Sequence, residues 1–375
     1  MRSILYTTVA SLLANPALSL VARGNLPPKF TVDSIGIQSS NFPGVYRDGG
    51  GGGTVNGVNM MTFSDTTTTT TGGITGPLKG FTDNTIAYVG HDGAPLHQTT
   101  DFGADGVPRM PIPFTQNETQ YTADHFDKDG SRCVLWPQAS IATIPTPDDS
   151  ELGIAVYPVA LYSSSTGTQT DLYNTLVEIS ADPVAGPQVA RAVPQLFYAA
   201  QGPLYGGFST VAAHGAPELY LFSKEWDAST LTGGMRVAKV ATSSYRDRAT
   251  YAYWDGSAWT ADLAAASSAP AGLLFESSLS TGDVFWSDYY GTYVAVYFNS
   301  FADSTYYMRY ALDGTVTGKW SDEIKLAATQ PGTGSQPYNY AGHAYPTFGQ
   351  SGKELVLSYT MAGGALTDML KVTFA

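Results

Sequence analysis

Two carboxylates suggest the chemistry of this chain. Asp48 stands in Arg47-Asp48-Gly49-Gly50 and Asp65 in Ser64-Asp65-Thr66, on either side of the strand-like run Val58 to Phe63. If they close the ends of adjacent strands in a hairpin, both carboxyls reach the same edge or groove. Hydrolysis of a glycosidic bond needs such a pair, an acid and a nucleophile or base, flanking the bond. A separation of roughly 5 Å goes with retention at the cleaved carbon and roughly 6.5–9.5 Å with inversion. Arg47 is a cation able to keep a neighbouring carboxyl ionised. The plainer reading assigns both acids to turns, because Asp beside Gly or Thr often caps a bend.

Fewer signals come from the other reactive residue types. His343 lies in Tyr340-Ala341-Gly342-His343, where it would meet a sugar hydroxyl, tune a carboxylate or serve as a hydrogen-bonded core histidine. His91, His97, His125 and His214 are isolated and form no metal-type pair. Cys133 is alone, which excludes a disulfide within the chain and a multi-cysteine metal site, and it reads as a buried small hydrophobe. Asp124 to Gly130 resembles the start of a calcium loop, but Leu135 occupies the place of the required Glu, so a solvated turn is expected. No phosphate-cradling loop, nucleophile elbow or dinucleotide fingerprint is present. No metal and no cofactor are expected.

The elements that must position the carboxylates read as strands. Short runs rich in Val, Ile, Tyr, Phe and Thr recur at Thr85 to Val89, Leu152 to Tyr162, Leu172 to Ile179, Glu218 to Phe222, Thr250 to Trp254, Tyr293 to Asn299, Tyr306 to Tyr310 and Glu354 to Thr360. Gly, Pro, Asn, Asp or Ser clusters bound them. Trp254-Asp255-Gly256-Ser257-Ala258-Trp259 reads as a tight turn at the outer edge of a sheet. Ala-rich Thr260 to Pro270 reads as a loop or one helix turn. Low-complexity tracts at Gly49–Gly53 and Thr66–Thr71 are expected in turns. The glycines would let the backbone approach a neighbour closely.

Composition narrows the function classes. Only 14% of residues are charged, and 32 acids against 19 bases give a net charge of −13. A nucleic-acid binder needs a basic face, and no Lys/Arg run exists; the same field disfavours anionic membranes and polyanionic substrates. Arg2, the short apolar stretch Ile4 to Leu13, and Pro16 followed by Ala17 and Ser19 read as a cleaved secretion leader over 1–19. Residues 24–375 then form a single domain. Asn117-Glu118-Thr119 is a glycosylation sequon, placing Asn117 as a candidate modified residue in an extracellular protein.

The stretch Arg47-Asp48-Gly49-Gly50, Asn56-Gly57 and Met61-Thr62-Phe63-Ser64-Asp65-Thr66 resembles the opening blade of a secreted propeller family known as domain of unknown function 4185. Some bacterial members of that family are endo-D-arabinanases. Arg132-Cys133-Val134-Leu135-Trp136-Pro137, Phe285-Trp286-Ser287-Asp288-Tyr289-Tyr290-Gly291-Thr292-Tyr293-Val294, and Gly318-Lys319-Trp320-Ser321 followed by Tyr340 to Pro346 are similar to later blades. The resemblance spans about residues 44 to 360. Ser64 stands where the family usually has Gly, and the glycine run after Asp48 is longer. The resemblance implies a five-bladed β-propeller with its site in the central funnel and Asp48 and Asp65 as the paired acids. It also selects Trp136, Trp286 and Ser287 as sugar contacts.

The expectation is an all-β, five-bladed propeller, with a seven-bladed one as the alternative and a sandwich or jelly roll behind both. It would be a secreted monomeric glycoside hydrolase acting on a neutral, arabinan-like polysaccharide or oligosaccharide. Asp48 and Asp65 are the catalytic candidates, and Arg47, Trp136, Trp286, Ser287 and His343 the substrate contacts. Glu276, Asp283 and Asp288 are reserve acids. A non-catalytic carbohydrate-binding propeller and a polysaccharide lyase are the alternatives.

Overall fold

The computed structural model describes residues 24–71, 73–227, 232–331, 337–349, 352–363 and 365–375. The expected leader over 1–19 lies outside these residues. The protein is all-β, as the recurrence of branched and aromatic runs between turn residues requires. Val58–Phe63, Thr85–Val89 and Glu354–Thr360 are strands with the expected bounds. Leu152 to Tyr162 and Leu172 to Ile179 lie inside the longer strands Glu151–Ser163 and Thr168–Ser180.

Among the described residues, five sheets have four or five strands, and they follow one another along the chain. Their innermost strands are Gly52–Val55, Ala142–Pro145, Ser209–Ala212, Thr281–Ser287 and Tyr340–Tyr345, and successive ones lie side by side. The last meets the first, where the Tyr345 hydroxyl donates to the Gly50 carbonyl and the Gly49 N–H donates to Thr360 Oγ1. The final sheet holds both ends of the described chain: Phe30–Ile37 pairs antiparallel with Thr367–Phe374.

Apolar clusters fill the spaces between neighbouring sheets. Met60 and Tyr88 meet Tyr157 and Val177 in one, and Val296 and Tyr306 meet Leu357 and Val372 in another. The glycine run has a steric cause: a Cβ on Gly51 would stand 2.0 Å from the Ala139 carbonyl oxygen, and one on Gly53 2.4 Å from that of Ile141. This close approach is what the sequence suggested, but Gly52–Val55 is a strand rather than a turn, and so is Thr66–Thr69. The Trp254–Trp259 turn is confirmed, with the two tryptophans paired across the outermost hairpin of their sheet.

The expected solvated turn at Asp124 to Gly130 is the second half of an α-helix, Gln116–Asp129. Thr115 Oγ1 accepts from the Glu118 N–H while the Glu118 carboxylate accepts from the Thr115 N–H, and left-handed Gly130 ends the helix. Buried Glu118 then binds Arg191 through both oxygens, at 2.6 and 2.7 Å, and ties the helix to the sheet. Thr115→Ala is expected to lower stability by about 1 kcal/mol, read as an earlier urea unfolding midpoint at unchanged slope. Asn117 is exposed in the first turn of this helix.

Candidate active site

The two acids sit where one hairpin changes partners. Val45–Arg47 pairs with Thr66–Thr69, and further along Gly52–Val55 pairs with Val58–Phe63. Between these ladders the Asp48 N–H donates to the Asp65 carbonyl at 3.1 Å, and the Ser64 N–H donates to the Asp48 carbonyl at 3.1 Å. Two residues thus oppose one, which is a β-bulge. Neighbours on a regular strand face opposite ways. The bulge breaks that alternation, so Ser64 and Asp65 line the same cavity as Asp48.

The cavity has a volume of about 680 Å³ and draws its wall from all five sheets, with Asp48, Gln138, Phe208, Ser280 and Tyr340 among its lining residues. The carboxyls have different surroundings. The Tyr340 hydroxyl donates to Asp48 Oδ1 at 2.6 Å. Burial nevertheless raises Asp48 from the ordinary 3.8 to about 7; the Tyr340 bond opposes the rise and the negative charge of Asp65 adds to it. Tyr340 is pushed up by burial and by Asp48, so it keeps its proton and remains the donor. Burial raises Asp65 too, but the Arg132 charge and the Trp136 N–H pull it back. The Trp136 indole donates to Oδ1 at 2.8 Å and the Arg132 guanidinium to Oδ2 at 2.5 Å. Arg132 also pairs with Asp83. Asp48 thus holds its proton to about pH 7, while Asp65, also raised by burial, is the carboxyl that meets a guanidinium and an indole N–H, so the two acids stand in unlike surroundings.

Of the expected sugar contacts, Trp136 lines this cavity, with its ring edge-on to Tyr162 at 5.4 Å. Arg47 does not. Its buried guanidinium lies over the Phe63 ring at 3.7 Å and donates to Asp101 at 2.7 Å and to Thr99 at 2.6 Å. Trp286 and Ser287 line a second cavity, of about 290 Å³, toward the far ends of the innermost strands. There His214 stacks on Trp286 at 3.9 Å and the indole N–H donates to Asp288. His343 is fully buried between the two cavities, against Asp283. Glu276 is exposed. Cys133 is buried, and its thiol is pushed up to about 11, first by burial and then by Glu118.

The sequence reading did not single out Tyr340, Arg132 or Gln138, although Tyr340 and Arg132 lie inside motifs it quoted. Among the described residues, no group of three or more His, Cys, Asp or Glu side chains is arranged to hold a metal ion.

The fold is shared with a protein of known structure. A crystal structure from Bacteroides ovatus, described as a hydrolase, is 15% identical with a TM-score of 0.57 over 87% of this chain and 86% of that one. A family 117 glycoside hydrolase from Zobellia galactanivorans is 11% identical with a TM-score of 0.46, covering 92% and 90%. A family 93 α-L-arabinofuranosidase of Fusarium graminearum, in complex with arabinobiose, is 11% identical with a TM-score of 0.40, covering 92% and 98%. The family model of a domain of unknown function (DUF4185) matches residues 188–363, a span that includes Tyr340 and His343 but neither Asp48 nor Asp65. No curated protein matches the sequence.

Proposed function

We propose that this protein is a secreted glycoside hydrolase of neutral, arabinan-like glycans, with its site in the funnel of a five-bladed propeller and each four- or five-stranded sheet as one blade. The observation that carries the reading is the carboxyl pair: Asp48 and Asp65 reach one cavity from opposite sides of a bulge, the first hydrogen-bonded by a tyrosine hydroxyl and the second by a guanidinium and an indole N–H. Asp48 would give its proton to the departing sugar oxygen. Asp65 would act on the opposite side of the bond, as nucleophile or as base for water. Trp136 and Tyr162 offer aromatic surface against the C–H face of a sugar ring. Secretion rests on the leader-like sequence at 1–19, and exposed Asn117 is open to glycosylation.

The test is reducing-sugar release from a panel of neutral and acidic polysaccharides, with wild type beside Asp65→Asn. Release that falls about a hundredfold or more in the variant supports the assignment. Release at the wild-type rate moves the chemistry elsewhere. Binding without release makes the protein a carbohydrate-binding module.

A further inference from the structure

Beneath the carboxyl pair runs a buried chain of hydrogen bonds with no counterpart in the proposed chemistry. The Gln138 Nε2 amide donates to the Gly49 carbonyl at 2.9 Å and to Ser64 Oγ at 2.7 Å. Gly49 follows Asp48 and Ser64 precedes Asp65, so one amide group bridges both segments of the bulge. The Gly49 carbonyl can only accept, which fixes the amide orientation and turns Gln138 Oε1 toward His343 Nε2 at 3.3 Å. His343 Nδ1 in turn meets Asp283 Oδ2 at 3.0 Å, and the same oxygen accepts the Ala344 N–H at 2.7 Å. Gln138 Oε1 and Asp283 Oδ2 are thus the oxygens that face the two ring nitrogens. His343 is fully buried and Asp283 only 1% exposed, so neither ring nor carboxylate turns to another partner at little cost.

We infer that His343 is a positioning residue: pinned by Asp283, it holds the Gln138 amide across the two segments that carry Asp48 and Asp65. His343 does not line the cavity, whereas Gln138 does, so any effect of the histidine on the site passes through the glutamine. A free Gln138 amide would rotate, and the bulge would lose the bridge that fixes the spacing of its two arms. The other titratable groups around this network are the hydroxyls of Tyr157, Tyr306 and Tyr345; burial and the Asp283 charge push them up, so they stay neutral and do not compete for its protons. The inference rests on the hydrolase reading only for its kinetic consequence.

The test follows the two ring nitrogens separately. In His343→Asn the new amide reaches the place of Nδ1 and keeps the Asp283 contact but loses Gln138. In His343→Gln it reaches the place of Nε2 and keeps Gln138. The carboxyl titration of Asp48, followed by carbon-13 NMR, should hold its midpoint in His343→Gln and move by about half a pH unit or more in His343→Asn and in Gln138→Leu. Combining His343→Asn with Gln138→Leu should add nothing further, because both act on one bridge. On any polysaccharide that the wild type cleaves, kcat should fall about tenfold in His343→Asn with KM little changed. An unmoved midpoint in His343→Asn, or equal damage in His343→Gln, overturns the inference. If His343→Asn fails to fold, Gln138→Leu at the cavity wall decides by itself, and an unmoved midpoint there is equally fatal. The titration needs no substrate, so a protein that cleaves nothing in the panel removes the hydrolase reading while this result still stands or falls separately.

Discussion

Asp48→Asn should abolish hydrolysis, by a hundredfold or more, and above pH 7 should make the same protein harder to melt. Both effects come from one proton. The folded protein holds the Asp48 proton up to about pH 7, whereas an unfolded chain releases it near 3.8. The stability from this raised affinity is fully present below about 3.8 and is lost as pH rises through about 7. At pH 8 the wild type carries a half-buried carboxylate that the asparagine variant does not. A rise from 3.8 to about 7 corresponds to roughly 4 kcal/mol as an upper bound. Water in the cavity screens much of that, so a gain of about 1–2 kcal/mol is expected at pH 8. Near pH 4 the two proteins should melt almost together. Thermal melts at both pH values test the claim, and a variant less stable than wild type at pH 8 contradicts it. The same proton sets the rate profile: kcat/KM should fall about tenfold per pH unit above about 7.

Replacing Arg132 by Met should cost activity through the other carboxyl. Arg132 spans Asp65 and Asp83. Without the guanidinium, two partly buried acids face each other with no cation between them. Asp65 then holds its proton to higher pH, since the charge that opposed its burial has gone. Activity should fall about tenfold to a hundredfold near pH 6, and the acidic limb of the pH profile should move upward. Stability should drop by about 1–3 kcal/mol. Arg132→Lys restores a point charge but not the fork that reaches two carboxylates, so it should lie between the two. An acidic limb in the same place for Arg132→Met and wild type would mean that Arg132 does not set the ionisation of Asp65.

The strands and the carboxyl pair were legible in the sequence, because Val, Ile, Tyr and Thr runs between turn residues declare strands and the pair flanks one of them. Orientation was not. Arg47 and Asp48 are adjacent, and one step along a strand reverses the face presented; Arg47 therefore turns to Asp101, and the cation the site needed comes from Arg132, far away in sequence. Trp286 was misplaced for a related reason. The innermost strands run from one cavity to the other, so position along the strand decides which is lined. Tyr340 begins its strand and faces the carboxyls, while Trp286, near the end of Thr281–Ser287, faces the second cavity. The helix Gln116–Asp129 escaped notice because it has no apolar stripe; its one buried side chain is Glu118, and only the Thr115–Glu118 cap and Gly130 announced it.

The pairing of Phe30–Ile37 with Thr367–Phe374 has a consequence for how the molecule is made. A chain leaving the ribosome presents the first of these strands long before its partner exists, so the final sheet stays open until nearly all of the described chain has been synthesised. Asp48 lies near the early end and Tyr340, which supplies its hydrogen bond, near the late end. Asp48, the proposed acid, therefore acquires its full surroundings only when the circle closes. Such distant pairing predicts slow folding and a long interval with unpaired sheet edges. An unfinished chain has the aspartate but not the Tyr340 hydroxyl that meets it in the folded protein.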